Sequence, residues 1–232
     1  MKCLGKAEHG ETLQAFAVFY IEPMNLKFER KKLKDGYRYI MGCDEVGRGS
    51  LAGPVVASVI ALDLRYKIKD LRLKDIKDSK LLTPKKREEL SRIIKQHSAW
   101  SVAEVSSVII DKINIHQATL LAMHRAIKSL LQKMTNEKSK VFIYIDGQFK
   151  VPECDYDQES VIGGDNKVLS IAAASIVAKV HRDNLMERMH KFYPKYNFAQ
   201  NKGYGTLFHR QMIQKHGLSP IHRLSFCQSI AV

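Results

Sequence analysis

Apolar and polar positions along the 232 residues keep two rhythms, and each change of rhythm marks an element. Residues 55–62 (VVASVIAL) are a continuous apolar run, the pattern of a strand buried on both faces. A second strand opens at residues 39–41 (YIM), and the close spacing through Gly53-Pro54 predicts a hairpin between the two. Thr83-Pro84 supplies a cap and a first-turn proline, so a helix is expected over 85–97 with Leu90, Ile93 and Ile94 inside. Residues 100–106 (WSVAEVS) alternate as a strand. Asn114 or a neighbour then caps a long amphipathic helix reaching about Met134, with Ala118, Leu121, Ala122, Ala126 and Leu130 on its apolar side. Residues 141–145 (VFIYI) give another buried strand, and 159–162 a short edge strand. A strong helix is expected over 167–193, with Asp165 as its N-cap. Its run Ile171-Ala-Ala-Ala-Ser-Ile176 is small enough to lie close against a sheet. The whole reads as an α/β body over 39–232. Residues 1–38 are an N-terminal extension, with a strand or helix over 13–22 and a basic helical piece over 28–37 that ends at Gly36. Residues 67–80 are expected to be a solvated loop, 136–140 a polar turn, and 152–160 an acidic loop.

Charge narrows the picture. Lys and Arg number 38 against 24 Asp and Glu, a formal net charge of +14, which favours a polyanionic partner. Hydrophobic content of 45% excludes a disordered chain, and no apolar run reaches the length of a membrane span. Cys3, Cys43, Cys154 and Cys227 are scattered without a C-x-x-C pair, and the chain start lacks a signal-peptide pattern. Free thiols in a reducing cytoplasm fit best, with Cys43 as a small core residue.

The candidate chemistry lies where acids interrupt the apolar pattern. Asp44 and Glu45 stand where a buried strand should carry Val or Ile, and ionised carboxylates are costly to bury unless paired or bound to metal. The same stretch also suits a strand end and a solvated turn. Successive strand side chains point to opposite faces, so the two acids converge only if the strand bends or ends at Glu45. Gly47-Arg48-Gly49 follows, a loop whose glycines permit positive φ and close approach to a ligand. Asp146-Gly147 repeats the order of apolar strand, acid, glycine, at the strand edge where α/β sheets bind ligands. With Asp165 there are four acids and no soft ligand, a set that selects hard cations such as Mg²⁺ or Mn²⁺. Two such ions a few ångströms apart can activate water and stabilise the leaving oxygen in a phosphodiester displacement. Lys179 and Asp183 are four apart on a helix and can pair. The tail mixes aromatic and basic residues, and His209, His216 and His222 are expected at the surface or on nucleic acid, since they lack a zinc-helix spacing.

Seven segments in order carry a resemblance: GCDEVGRGSLAGPVVASVIAL, DSKLLTP, NIHQATLLAMHRAI, YIDG, GGDNKVLSIAAASIVAKVHRD, YPKYNFAQNKGYGTLFH and HRLSF. From about Tyr39 to Phe226 the chain resembles bacterial ribonuclease HII, the type 2 ribonuclease H family. The resemblance implies a ribonuclease H-like α/β fold, a five-stranded mixed sheet flanked by helices with C-terminal helical elements. It implies cleavage of the RNA strand of RNA–DNA hybrids, and cutting 5′ of ribonucleotides embedded in duplex DNA, with two Mn²⁺ or Mg²⁺ ions per site. Asp44, Glu45, Asp146 and Asp165 match the family's catalytic, metal-binding acids. Gly47, Arg48 and Gly49 match its sensor of the ribonucleotide 2′-OH, the group that separates RNA from DNA locally. Tyr204 matches the tyrosine that stacks on the next deoxyribose, although a packed loop aromatic is its plain alternative. Lys80, Lys179 and Lys202 look like phosphate contacts, Lys179 equally like half of an ion pair. Cys43, Gly163 and Leu224 depart from the family's commoner residues without touching the acids. A monomer is expected. Two other readings stay open: a DNA nuclease or resolvase of the same fold, and a basic nucleic-acid-binding module without catalysis.

Overall fold

The computed structural model describes residues 26–62, 76, 82–134 and 140–230. The expected element over 13–22, Cys3, Lys80, and most of the 67–80 loop and the 136–140 turn lie outside them. Ile76, the one described residue of that loop, is buried in the core instead of solvated.

Five strands form one mixed sheet: β1 (Tyr39–Val46), β2 (Val55–Leu62), β3 (Ser98–Val105), β4 (Val141–Asp146) and β5 (Asp157–Val161), in the order β3-β2-β1-β4-β5. The expected hairpin is present, β1 and β2 pairing antiparallel, and β3 continues the antiparallel side. Strands β1 and β4 run parallel with Cys43 opposite Ile145, so each strand's next residue is an acid, Asp44 and Asp146. That register, set by apolar runs buried on both faces, delivers two carboxylates to one edge of the sheet.

Helix α3 (Ser107–Met134) covers one face, where Ala118, Ala122, Ala126 and Leu130 pack against Met41, Cys43, Ile143 and Ile145. Asn114 interrupts it with φ 64° and ψ 165°, and its Oδ1 accepts from the Gln117 N–H at 3.1 Å, so it caps the second segment as the pattern predicts. Helices α2 (Pro84–His97) and α4 (Leu169–Phe192) cover the other face. Thr83 caps α2, its hydroxyl accepting from the Lys86 N–H. Helix α4 lies so close to β1 that a Cβ at Gly42 would sit 2.1 Å from the Ser170 carbonyl carbon. Only glycine fits there.

Helix α1 (Lys27–Lys34) packs on the body, with Phe28, Leu33 and Tyr37 against Ile40, Phe142, Tyr144 and Ile171. Its Glu29 is fully buried and accepts from the Ser170 N–H at 2.8 Å, across 141 residues of sequence. This corrects the expected cap of α4. Asp165 sits in a 3₁₀ turn, Gly164–Asn166, ahead of the first helical residue Leu169 and too early to cap it. Val168 occupies the cap position without a side-chain hydrogen bond, and Glu29 serves the first-turn amides of Leu169 and Ser170.

Beyond α4, helices α5 (Phe198–Asn201), α6 (Leu207–His216) and α7 (Leu224–Cys227) enclose a satellite core of Leu51, Ala52, Met186, Phe198, Ile213 and Cys227. The loop after β1 is thereby clamped between the sheet and the C-terminal helices. No helix among the described residues is long and apolar enough to cross a membrane.

Candidate active site

Asp44, Glu45 and Asp146 each offer a carboxylate oxygen, and the three oxygens lie within 4.8 Å of one another. Strand parity does not prevent this. Pairing of β1 continues through Val46, so of the two routes to convergence, a bend or an end at Glu45, the strand does not take the end. Asp44 is 4% exposed, and its Oδ1 accepts from the Glu45 N–H at 2.7 Å. Asp146 Oδ1 accepts from the Gly164 N–H at 2.7 Å, which ties β4 to the turn that carries Asp165. Asp165 is buried beside Asp146 and accepts from the Asn166 side chain at 3.0 Å, but gives no oxygen to the group of three.

Electrostatics make this cluster costly as it stands. Burial pushes the Asp44 carboxyl well above the carboxylate range, and the Glu45 and Asp146 charges push it further. The Ser175 hydroxyl and the Glu45 amide pull it back only partly. Glu45 is raised mainly by burial, against the Arg48 guanidinium 3.4 Å away. Asp146 is raised by burial and by the Asp165 charge, against the Gly164 amide. Three mutually repelling oxygens at one point form a receptor for a hard cation, which would restore their ionised forms.

Beside the acids stands the loop of Gly47, Arg48 and Gly49. Gly47 has φ +93°, and a Cβ there would lie 2.2 Å from Arg182 Nε. Gly49 does not use its freedom to reach positive φ; its missing Cβ leaves open space instead. Two buried arginines hold the loop. Arg223 donates to the carbonyls of Gly47 and Arg48, both at 2.7 Å, and of Gly53 at 3.0 Å. Arg182 donates to the carbonyls of Ala52, Pro54 and Lys202. Both side chains are fully buried, so two positive charges lie beneath the loop.

The remaining sequence candidates gather unevenly. Tyr204 is half-buried, bridged through its backbone to Ser50, with Arg182 Cζ 5.4 Å and Lys179 Nζ 5.7 Å from its ring centre. Lys179 pairs with Asp183 at 2.8 Å, as the helix spacing predicts. Lys202 pairs with Glu187 and donates to the Ala199 carbonyl at 2.6 Å. His216 is exposed, but His209 and His222 are buried, which corrects the expectation that they face solvent or nucleic acid. Tyr196 and Phe198 wall them in, with ring centres between 4.8 and 6.3 Å from theirs. Sequence reasoning passed over Arg182 and the Ser175 hydroxyl. A polar residue inside the small apolar run of α4 was the signal for Ser175; Arg182 left none, since its partners are loop carbonyls.

A sequence model described as Ribonuclease HII matches residues 41–229. A ribonuclease HII of Caldicellulosiruptor bescii is 46% identical over 205 residues, covering 88% of this chain and 94% of the relative. Another, of Alkaliphilus oremlandii, is 49% identical over 197 residues, covering 84% and 93%. Among solved structures, the ribonuclease H2 of Pyrococcus horikoshii superposes with a TM-score of 0.67 at 26% identity, covering 83% of this chain and 97% of that one.

Proposed function

The chain belongs to the ribonuclease HII family, and on that premise we propose how its site cuts and what it reads. The protein is an endoribonuclease acting on the RNA strand of RNA–DNA hybrids, and it also cuts 5′ of ribonucleotides embedded in duplex DNA. One observation carries the reading: three carboxylate oxygens within 4.8 Å, at the end of β1 and β4, beside a glycine-flanked arginine. Asp44, Glu45, Asp146 and Asp165 are the catalytic acids, and the first three fit a divalent-cation site. Two Mg²⁺ or Mn²⁺ ions held there would supply a water nucleophile and neutralise charge on the departing 3′ oxygen.

The chain's own residues do the rest. Gly47, Arg48 and Gly49 meet the ribonucleotide 2′-OH, the open side of Gly49 leaving room for the sugar. Arg182 and Arg223 fix that loop and add buried positive charge under the approaching phosphate. Tyr204 packs on the deoxyribose after the ribonucleotide, so the loop and the ring together read the junction. Lys179 and Lys202 reach phosphates by exchanging Asp183 and Glu187 for the substrate, and Lys80 would join them. The same reading takes residues 39–232 as the catalytic unit and 1–38 as its extension. It takes the protein as a monomer working in the cytoplasm, in keeping with the free thiols of Cys43, Cys154 and Cys227.

The test compares cleavage and binding of a labelled RNA–DNA hybrid by the native chain and by Asp146→Asn. Metal-dependent cutting that the variant loses while still binding the hybrid is expected. A variant that cuts as well as the native chain would remove Asp146 from the chemistry. A native chain that binds without cutting would leave the binding-module reading.

A further inference from the structure

Two buried histidines lie outside the acid site, and their hydrogen bonds leave no freedom of protonation. His222 Nδ1 is 2.9 Å from the Ser219 backbone nitrogen and 2.8 Å from the Ser219 hydroxyl. A backbone N–H can only donate, so Nδ1 of His222 is an acceptor, and the neutral ring carries its proton on Nε2. At the other end, His209 Nδ1 is 2.9 Å from the Tyr204 carbonyl. A carbonyl can only accept, so Nδ1 of His209 carries the proton and its Nε2 has the lone pair. The two Nε2 atoms are 3.0 Å apart. The two ends therefore demand the same middle bond, donated by His222 and accepted by His209. Protonating either ring would set two N–H groups against each other.

This chain of bonds ends on a residue of the site. The Tyr204 carbonyl accepts a hydrogen bond from His209 Nδ1–H, the Tyr204 N–H donates to the Asn201 carbonyl at 2.8 Å, and its backbone bridges Ser50 next to the sensor loop. His209 is fixed in turn by the Thr206 hydroxyl, which accepts from its N–H at 3.2 Å. His222 is fixed by a backbone bridge to Ala52, and the next residue, Arg223, holds the carbonyls of Gly47 and Arg48. One short segment thus sets both the loop and the tyrosine. We propose that the Ser219–His222–His209 relay is a positioning device for Tyr204, and through it a determinant of selectivity for ribonucleotide junctions. It rests on the reading of Tyr204 given above.

The relay makes no contact with the acids, so its loss should change selectivity more than chemistry. The readout is the ratio of cleavage of a duplex with one ribonucleotide to cleavage of a long hybrid, together with the melting temperature. His222→Leu removes the middle donor and should lower the ratio about tenfold, the order expected when a contacting group shifts by an ångström or less. His222→Gln, whose amide can donate from the same place, should restore most of it. In the native chain, long-range ¹⁵N correlation at neutral pH should show His222 protonated on Nε2 and His209 on Nδ1. The opposite tautomers would overturn the relay. So would a His222→Leu variant that loses both activities in equal proportion while Tyr204→Ala changes the ratio. If Tyr204→Ala itself leaves the ratio unchanged, the reading of Tyr204 fails and the selectivity role falls with it.

Discussion

The two sides of the site handle buried polarity in opposite ways. At the ends of β1 and β4, three carboxylates are crowded together and held above their usual pKa range by burial and mutual repulsion. Across the loop of Gly47, Arg48 and Gly49, Arg182, Arg223, His209 and His222 are as deeply buried, yet their ring and guanidinium nitrogens meet carbonyls, an amide, a hydroxyl or each other. Within the fold the acids are relieved only in part, by the Arg48 guanidinium beside Glu45 and by the amides of Glu45 and Gly164, whereas the buried basic groups meet acceptors inside the fold. The first arrangement is built to bind and react, the second to hold still. The contrast is of like charges crowded together at the acids against nitrogens set opposite acceptors on the basic side.

Breaking the acid side should produce the largest change, with opposite signs in two assays. Asp44→Asn keeps an oxygen for the Glu45 amide but removes a charge, so cleavage should fall by more than about 100-fold, beyond the roughly 10–100-fold that losing a ligand's outer partner costs. The metal-free variant should melt higher than the native chain, because a carboxyl whose folded pKa is raised destabilises the fold wherever it is ionised. Thermal melts without metal and with Mn²⁺ check both: the ion should raise the native melting point and barely move the variant's.

On the basic side, Arg223→Met leaves the carbonyls of Gly47, Arg48 and Gly53 without that donor. At roughly 1–3 kcal/mol for each unsatisfied group, a loss of several kcal/mol in urea unfolding is expected, and lysine should not rescue it. A smaller effect follows pH. Burial, and then the His209 charge, push His222 down from 6.5 to about 4. The unfolded chain then takes up a proton that the folded chain refuses. Stability from this group is complete above about pH 6.5 and declines as pH falls toward 4, by on the order of 3 kcal/mol. His222→Gln should flatten that part of a stability–pH profile.

The smallest change is expected at Glu29. Glu29→Gln keeps an acceptor for the Ser170 amide, whereas Glu29→Ala removes it and should cost about 1 kcal/mol, the usual worth of a helix cap. Burial raises the Glu29 carboxyl, so the glutamine variant should gain on the native chain as pH rises.

The same contrast separates what the sequence made legible from what it hid. Asp44 and Asp146 announced themselves because each follows an apolar strand and precedes a glycine, and the parallel register of β1 and β4 then brought them together. The meeting of Glu45 with them was harder to foresee, since period-2 alternation sends neighbours apart, yet the three carboxylate oxygens lie within 4.8 Å of one another. His222 reads as a surface or nucleic-acid contact in a basic tail, and nothing in the sequence singles out Arg223. The partners of Arg223 lie in a loop some 170 residues earlier, and no local pattern records that. Asp165 was misread as a cap because a 3₁₀ turn intervenes, while the true capping carboxylate, Glu29, sits in a stretch whose charge pattern suggested only a basic helix.

The central claim, ribonucleotide-directed and metal-dependent cutting, is tested most directly on a labelled DNA duplex carrying a single ribonucleotide. It is incubated with Mg²⁺, with Mn²⁺ or with EDTA, beside an all-DNA duplex of the same sequence. The account predicts one cut immediately 5′ of the ribonucleotide, abolished by EDTA and absent from the control. Equal cutting of both duplexes would contradict it and point to a DNA nuclease on the same fold.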